Sequence, residues 1–311
     1  MHPPSVSPAR ALPLRARLRR TLSRALNHRA GAPLRAAHEG LAAAELAVLR
    51  TRDRLLEPDP TPAERADVAE HLTIVVKTFL RPDVCRRLLC SAREVFDGRI
   101  VVADDSPTPL TVADPRVDVV ALPFDSGVAV GRNRALAEVD TEFTFITDDD
   151  HVLSRATRLH EVIDYLRRNP EVDIVGMGLM NLPERRVADV GTDRMTAGTL
   201  PPLREHGELV DGLPVRLMVA QNYVARTASL RRIGWDEGVR MLDHRDFFHR
   251  ASGRLLTVLD LSVGAYHVRT PYRREYMRHR RDHAADREYL QRKWTAVAMG
   301  RAPSDVTRWD G

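Results

Sequence analysis

Three consecutive aspartates, Asp148, Asp149 and Asp150, close an apolar run over residues 143–147. The run reads as a buried strand. Three carboxylates therefore stand together at a strand end, and their mutual repulsion calls for a cation. A divalent metal that carries a phosphorylated substrate is one answer. A solvated loop is the other, because Asp is common at strand ends and helix caps. Along an extended backbone Asp148 and Asp150 share one side and Asp149 takes the other.

Further residues suit the same chemistry. Lys77, Thr78, Phe79 and Arg81 end a β-branched run. They offer a hydroxyl, an aromatic face and a guanidinium, which together suit a nucleotide. Asp105, at the end of a second such run, can accept the imide N–H of a uracil. Gly127 and Gly131 permit close backbone approach, and a helix starting there would aim its N–H groups at an anion. Arg132 would then reach a diphosphate or the base. Transfer from a sugar nucleotide needs leaving-group stabilisation, which a divalent ion held by one or two carboxylates provides. On that reading Asp150 is the direct metal ligand, and Asp148 contacts the donor ribose or a metal-bound water. Asp149 is counted with the donor-binding residues, although its side chain should face away. A single displacement also needs a general base near the acceptor hydroxyl. Asp246 precedes two aromatics that would fix it at a pocket and is the expected base. Asp243, one turn earlier, suits a helix N-cap. His267 follows an apolar strand and is either structural or an imidazole ligand to the metal.

These residues need a scaffold that gathers strand ends. Strand patterns over 72–78, 99–103, 117–122, 143–147 and 172–177 are interleaved with helical ones over 83–96, 131–139 and 157–169. This alternation predicts an α/β fold, a mainly parallel Rossmann-like sheet with helices on both faces. Ligands bind at the carboxyl ends of such strands, where Asp104–Asp105 and Asp148–Asp150 would both sit. Residues 183–214 read as a loop region or small hairpin, 215–225 and 255–261 as strands, and 243–251 as a helix. Residues 271–295 read as a basic helix or helix pair.

With 311 residues and 43% hydrophobic content, the chain holds one large domain or two small ones. Lys+Arg 48 against Asp+Glu 43 gives net +5, almost all of it arginine, since the only lysines are Lys77 and Lys293. A GC-rich genome explains that bias, so the charge is no argument for a nucleic-acid partner. Cys85 and Cys90 lie five apart in one predicted helix, off a shared face, so no disulfide framework is expected. No run approaches the roughly 18 apolar residues of a membrane span, and no signal-peptide pattern appears. Residues 1–70 are set apart as a basic, helical and partly disordered extension. Within it Leu14, Leu18, Leu22 and Leu26 share a helical face among arginines. This segment and the stretch Arg273–Arg281 suggest peripheral contact with an anionic membrane or an acidic acceptor. A disordered tail, or packing on its own domain, is the other reading of the N-terminal segment.

The motifs and their order resemble a known family. Lys77-Thr-Phe-Leu-Arg-Pro82, Asp104-Asp-Ser106, Gly127-Val-Ala-Val-Gly-Arg-Asn133 and Asp148-Asp-Asp150 resemble the GT-A glycosyltransferases. The likeness is closest to the β-1,4-N-acetylgalactosaminyltransferases of the ganglioside-synthase type, within the wider group of family 2-like enzymes. It continues through Gln221-Asn222, Gly234-Trp-Asp236, Asp243-His-Arg-Asp246-Phe-Phe248 and His267, and so covers about residues 71–270. The resemblance implies a nucleotide-diphosphate sugar donor, usually UDP-linked, with Mn²⁺ or Mg²⁺ and inversion at the anomeric carbon. By position it assigns Thr78, Phe79 and Asp105 to the base, Arg132 to the donor, Asp148 and Asp150 to the metal–donor motif, Asp246 to the base role and His267 to the metal. Animal members of the family are Golgi proteins with a membrane anchor and disulfides, and this sequence shows neither. The expectation is therefore a cytoplasmic, bacterial-style enzyme, at most associated with the inner membrane surface. Its acceptor would be a polysaccharide, a lipid-linked glycan or a small molecule. A non-catalytic nucleotide-sugar-binding subunit and a nucleotidyl- or phosphotransferase are the competing readings. Residues 271–311 are taken as a separate basic C-terminal segment.

Overall fold

The computed structural model describes residues 31–188, 200–280 and 283–300. The leucine face of Leu14–Leu26 and Arg281 lie outside the described residues. The described chain opens with helices α1 (Ala32–Leu56) and α2 (Pro62–His71). Then β1 (Leu72–Thr78), α3 (Pro82–Ala92), β2 (Ile100–Asp104), β3 (Val117–Ala121), α4 (Val128–Ala137) and β4 (Phe143–Asp148) follow in the expected alternation. Next come β5 (His151–Val152), α5 (Leu159–Arg168), β6 (Ile174–Leu182), β7 (Arg186–Val187) and the hairpin of β8 (Leu209–Val210) and β9 (Leu213–Pro214). The rest is β10 (Tyr223–Arg226), α6 (Thr227–Ile233), α7 (Asp243–Ala251), β11 (Thr257–Val268), α8 (Arg274–Arg280) and α9 (Ala284–Ala298).

Nine strands form one sheet in the order β3-β2-β1-β4-β10-β6-β11-β5, with β7 on β6. Pairing is parallel from β3 through β4 and again between β6 and β11. Only β10, between β4 and β6, and the short β5 and β7 run antiparallel to their neighbours. Strand β1 is central, with both faces covered, which is why all seven of its residues are buried. Ile74 and Val76 join Leu88, Phe145 and Ile163 on one face. Val75 joins Ile146, Leu136, Trp235 and Phe247 on the other. Each such side chain taken from water stabilises the fold by roughly 1.5–3 kcal/mol.

The chain runs from β1 outward through β2 to β3, then returns to β4 on the far side of β1. A crevice opens at the carboxyl ends of the strands at this reversal. Asp104–Asp105 and the aspartate triplet sit there on either side of β1, separated by Lys77 and Thr78.

Strands β6 and β11 run further than their sequence patterns predict. Past the main sheet they keep pairing with each other, from Gly264–Gly178 to Val268–Leu182. A Cβ on Gly264 would stand 2.3 Å from the Gly178 carbonyl oxygen, so this approach needs glycine. The extension carries His267 back beside β5 and the triplet. Composition sets residues 1–70 apart, yet α1 is seated on this same extension. Its Ala42, Leu46 and Leu49 pack against Val152, Leu182, Tyr266 and Val268. Buried Asp53 accepts hydrogen bonds from Ser154 and Tyr266, both at 2.6 Å. Among the described residues no helix is long and apolar enough to cross a membrane.

Candidate active site

The protein itself relieves much of the repulsion within the triplet. Arg132 donates to Asp148 at 2.8 Å and pairs with Asp243 through its other terminal nitrogen. Arg81 pairs with Asp149 and donates to Asp150 Oδ2 at 3.1 Å. It also donates to Thr270 at 2.8 Å and stacks on Tyr276, 3.8 Å from the ring centre. Asp149 is buried and accepts from the Thr78 hydroxyl at 2.8 Å. Burial pushes its carboxyl up to about 6, despite Arg81 beside it. Thr78, Arg81 and Arg132 were expected to hold a donor directly. Here all three brace the aspartates, and Arg132 is a strut only 3% exposed. The reason is electrostatic: adjacent buried carboxylates need buried cations and hydrogen-bond donors at close range.

One carboxylate oxygen of the triplet keeps a different outlook. Asp150 Oδ1 faces His267 Nε2 at 3.3 Å. The far nitrogen, Nδ1, lies 2.9 Å from the Asn181 side-chain oxygen. Asn181 donates its amide N–H to the Arg186 carbonyl at 3.2 Å, which turns its oxygen to the ring. His267 Nδ1 then carries a proton, and Nε2 is the nitrogen turned to Asp150, where a proton or a metal cation can join the two. Burial opposes the charge on Asp150, but His267 and Arg81 hold its carboxyl well below the usual range. His151, paired in register with His267, brings its ring centre to 5.0 Å. Its Nδ1 lies 2.8 Å from the Thr147 hydroxyl. Asp150, His151 and His267 each offer a ligand atom, all within 4.8 Å of one another. One carboxylate and two imidazoles, with the His267 ring oriented from behind, fit a divalent transition metal.

Above this centre lies a cleft of about 280 Å³, walled by Lys77, Arg81, the triplet, His267, Tyr276 and Arg280. A smaller hollow beside it is lined by Phe79, Asp105 and His279. The Phe79 ring meets Phe124 at 5.6 Å and His279 edge-on at 5.2 Å. Asp105 pairs with the Lys77 ammonium and accepts the Gly127 N–H at 3.1 Å. The Val128 N–H donates to the Arg240 carbonyl at 2.8 Å. These amides, which were expected to face an anion, therefore serve protein partners. A Cβ on Gly131 would stand 2.2 Å from Lys77 Cδ, so this glycine makes room for the lysine stem rather than for a ligand.

The two candidate bases part company. Asp246 has both oxygens filled. Lys293 donates to each, at 2.7 and 2.8 Å, Trp294 donates to Oδ1 at 3.0 Å and Arg250 to Oδ2 at 2.8 Å. Lys293 also donates to Asp236 at 2.7 Å. This carboxylate faces two cations and ties α7 to α9, and it also borders a cleft of about 830 Å³ lined by His244, His249 and Trp294. Asp243 caps nothing: it stands inside the first turn of α7, and its carboxylate pairs with Arg132. Burial raises its pKa, with Arg132 opposing. Through that one guanidinium Asp243 is joined directly to Asp148. Both lysines of this arginine-rich chain are thus buried on aspartates.

Residues 73–197 match the model of glycosyl transferase family 2. The chain contains a glycosyl transferase family 2 domain. Mouse beta-1,4 N-acetylgalactosaminyltransferase 2 is 33% identical over 228 residues, covering 71% of this chain and 43% of that protein. Rat beta-1,4 N-acetylgalactosaminyltransferase 1 is 32% identical over 219 residues, 65% of this chain and 40% of its own. The chain therefore spans less than half the length of these curated relatives. Residues 1–349 of TarS from S. aureus superpose with a TM-score of 0.52 at 17% identity, covering 76% of this chain and 68% of that one. The same TarS fragment in complex with UDP-GlcNAc gives a TM-score of 0.52. At that identity the likeness shows the fold, the GT-A arrangement of a mainly parallel sheet with helices.

The candidate site also gathers residues to which the acidic and glycine motifs assign no role. His151 follows the triplet directly, and its signal was available in the strand alternation that sets it beside a second histidine. Tyr276, His279 and Arg280 come from the C-terminal basic stretch and line the cleft or the hollow beside it. Tyr223 and His244 flank the Phe248 ring at 5.9 and 5.2 Å. The Tyr223 hydroxyl and both His244 nitrogens are buried without a protein partner.

Proposed function

We propose that this protein is a metal-dependent, inverting glycosyltransferase. It would move a sugar from a UDP-linked donor to an acceptor hydroxyl. The observation that carries the reading is Asp150 Oδ1 and His267 Nε2 facing each other with His151 at hand, at the floor of a cleft at the carboxyl ends of β1 and β4. Asp150, His151 and His267 would hold Mn²⁺ or Mg²⁺, the histidines favouring Mn²⁺. A divalent ion held there would neutralise the donor diphosphate as the sugar–phosphate bond breaks. The nucleotide base occupies the hollow by Phe79 and Asp105. We assign the proton of the acceptor hydroxyl to Asp243, which Arg132 joins to Asp148; Asp246, which borders the larger cleft, is the alternative base. The acceptor oxygen bonds to the anomeric carbon from the face opposite the diphosphate, and the nucleotide diphosphate leaves with the bonding electrons. A buried carboxylate with a raised pKa suits that task.

The relatives' names favour an N-acetylhexosamine donor. Those relatives are mammalian, so the expectation of a bacterial-style enzyme draws no support from them. The test is a donor screen that reads nucleotide release from UDP-, GDP- and dTDP-sugars with and without divalent metal. Metal-dependent release of UDP is expected. Absence of turnover with every donor, across a panel of glycan and lipid-linked acceptors, would sink the proposal.

A further inference from the structure

Arg280 stands at the end of α8 and lines both the cleft over the triplet and the hollow beside Phe79 and Asp105. Of the other basic side chains on these walls, Arg269 is exposed to solvent, Arg240 pairs with Asp125, and the two buried ones have carboxylates close by. Lys77 pairs with Asp105, and Arg81 with Asp149 and Asp150. Arg280 differs. Its Nε donates to the neutral Tyr276 hydroxyl at 2.8 Å, and its guanidinium lies 5.2 Å from that ring. Among the described residues no carboxylate forms an ion pair with it. Tyr276, only 8% exposed, stands between Arg81 and Arg280 and fixes both guanidiniums. A half-buried cation with only a neutral partner is costly unless an anion completes the site. The anion would lie between a hollow lined by the Phe79 ring and Asp105 and a centre suited to a divalent metal. A diphosphate linking a base to a metal-bound end satisfies that geometry.

The rest of the basic stretch does not compete for this role. Arg273 pairs with Asp83, and His279 with Asp125 at 3.0 Å. Arg278, on the same helix, is exposed.

We infer that Arg280 is a donor-binding residue that pairs with the nucleotide's diphosphate and offsets the charge left there when the sugar departs, with Tyr276 as its positioning residue. This inference rests on the function proposed above.

The test is calorimetric titration of UDP and of uridine, with Mn²⁺ present, into the full chain and its Arg280→Gln, Arg280→Lys and Arg278→Gln variants. Arg280→Gln should weaken UDP by about ten- to a hundredfold, the scale of a charge-assisted hydrogen bond. It should leave uridine binding unchanged and the ligand-free melting temperature no lower than that of the unaltered chain. Arg280→Lys should fall between, and Arg278→Gln should match the unaltered chain. Equal UDP affinity in Arg280→Gln, or an equal loss for uridine, would overturn the inference while leaving the proposed function standing. Failure of the unaltered chain to bind any UDP would overturn both.

Discussion

Asp243 and Asp246 lie three residues apart on one helix, yet their carboxylates meet opposite demands. Asp246 faces Lys293, Arg250 and Trp294. Replacing it with Asn removes one charge from a buried network, leaving Arg250 without its carboxylate and Lys293 with Asp236 alone, which costs about 3–5 kcal/mol. Asp246→Asn is therefore expected to lower the melting temperature sharply. Asp243→Asn keeps the shape beside Arg132 but removes the base, so transfer should fall by roughly 10²–10⁴-fold with UDP affinity retained. Turnover and melting curves of the two variants separate these roles; loss of turnover only through unfolding in both would return Asp246 to contention. At the metal centre, Asn181→Leu frees the His267 ring, and affinity for Mn²⁺ should drop by about 10–100-fold in a metal titration. The aspartate triplet and His267 were legible because charge at an apolar strand end is conspicuous in a sequence. Their partners were not. Nothing in residue spacing says that Arg81 and Arg132 would be committed to the triplet, because that pairing joins positions many residues apart.

Elements decide which of these residues meet. The extension of β6 and β11 beyond the main sheet brings His267 to His151, and the close crossing of α4 over β1 seats Lys77 on Gly131. Gly131→Ala would put a methyl within the lysine stem. The lysine must then swing away from Asp105, and both the melting temperature and UDP affinity should fall; an unchanged affinity would show that Lys77–Asp105 does not organise the base hollow. Alternation of strands and helices through residue 177 was readable, since central parallel strands are continuous apolar runs. The reach of β11 was not. Exposed Leu261 and Ser262, and then Gly264, interrupt its apolar run, which reads as the end of a strand until its partner strand is known. The part of the C-terminal stretch that lines the cleft was not legible for a related reason. A run of arginines has the same composition whether it faces a membrane or lines a cleft, and only the packing of Tyr276 and His279 turns Arg280 inward.

The whole molecule draws its N- and C-terminal helices into the site's support. Helix α1 braces the β6–β11 extension through Leu46 and Leu49, while α9 supplies Lys293 and Trp294 to Asp246. Leu49→Ala should cost about 2–5 kcal/mol, seen as a lower melting temperature. Because α1 braces the strand that carries His267, the stabilisation by Mn²⁺ with UDP should shrink as well. For the unaltered chain that stabilisation reaches about 2.7 kcal/mol at a ligand concentration a hundred times its Kd. The central claim is that Asp150 anchors a divalent ion which in turn holds the donor's diphosphate. The most direct measurement is calorimetric titration of UDP with and without Mn²⁺ into the unaltered chain and Asp150→Ala. Tight binding that requires Mn²⁺ in the first and is lost in the second is the predicted result. Binding that is indifferent to the metal, or that survives Asp150→Ala intact, would contradict the account.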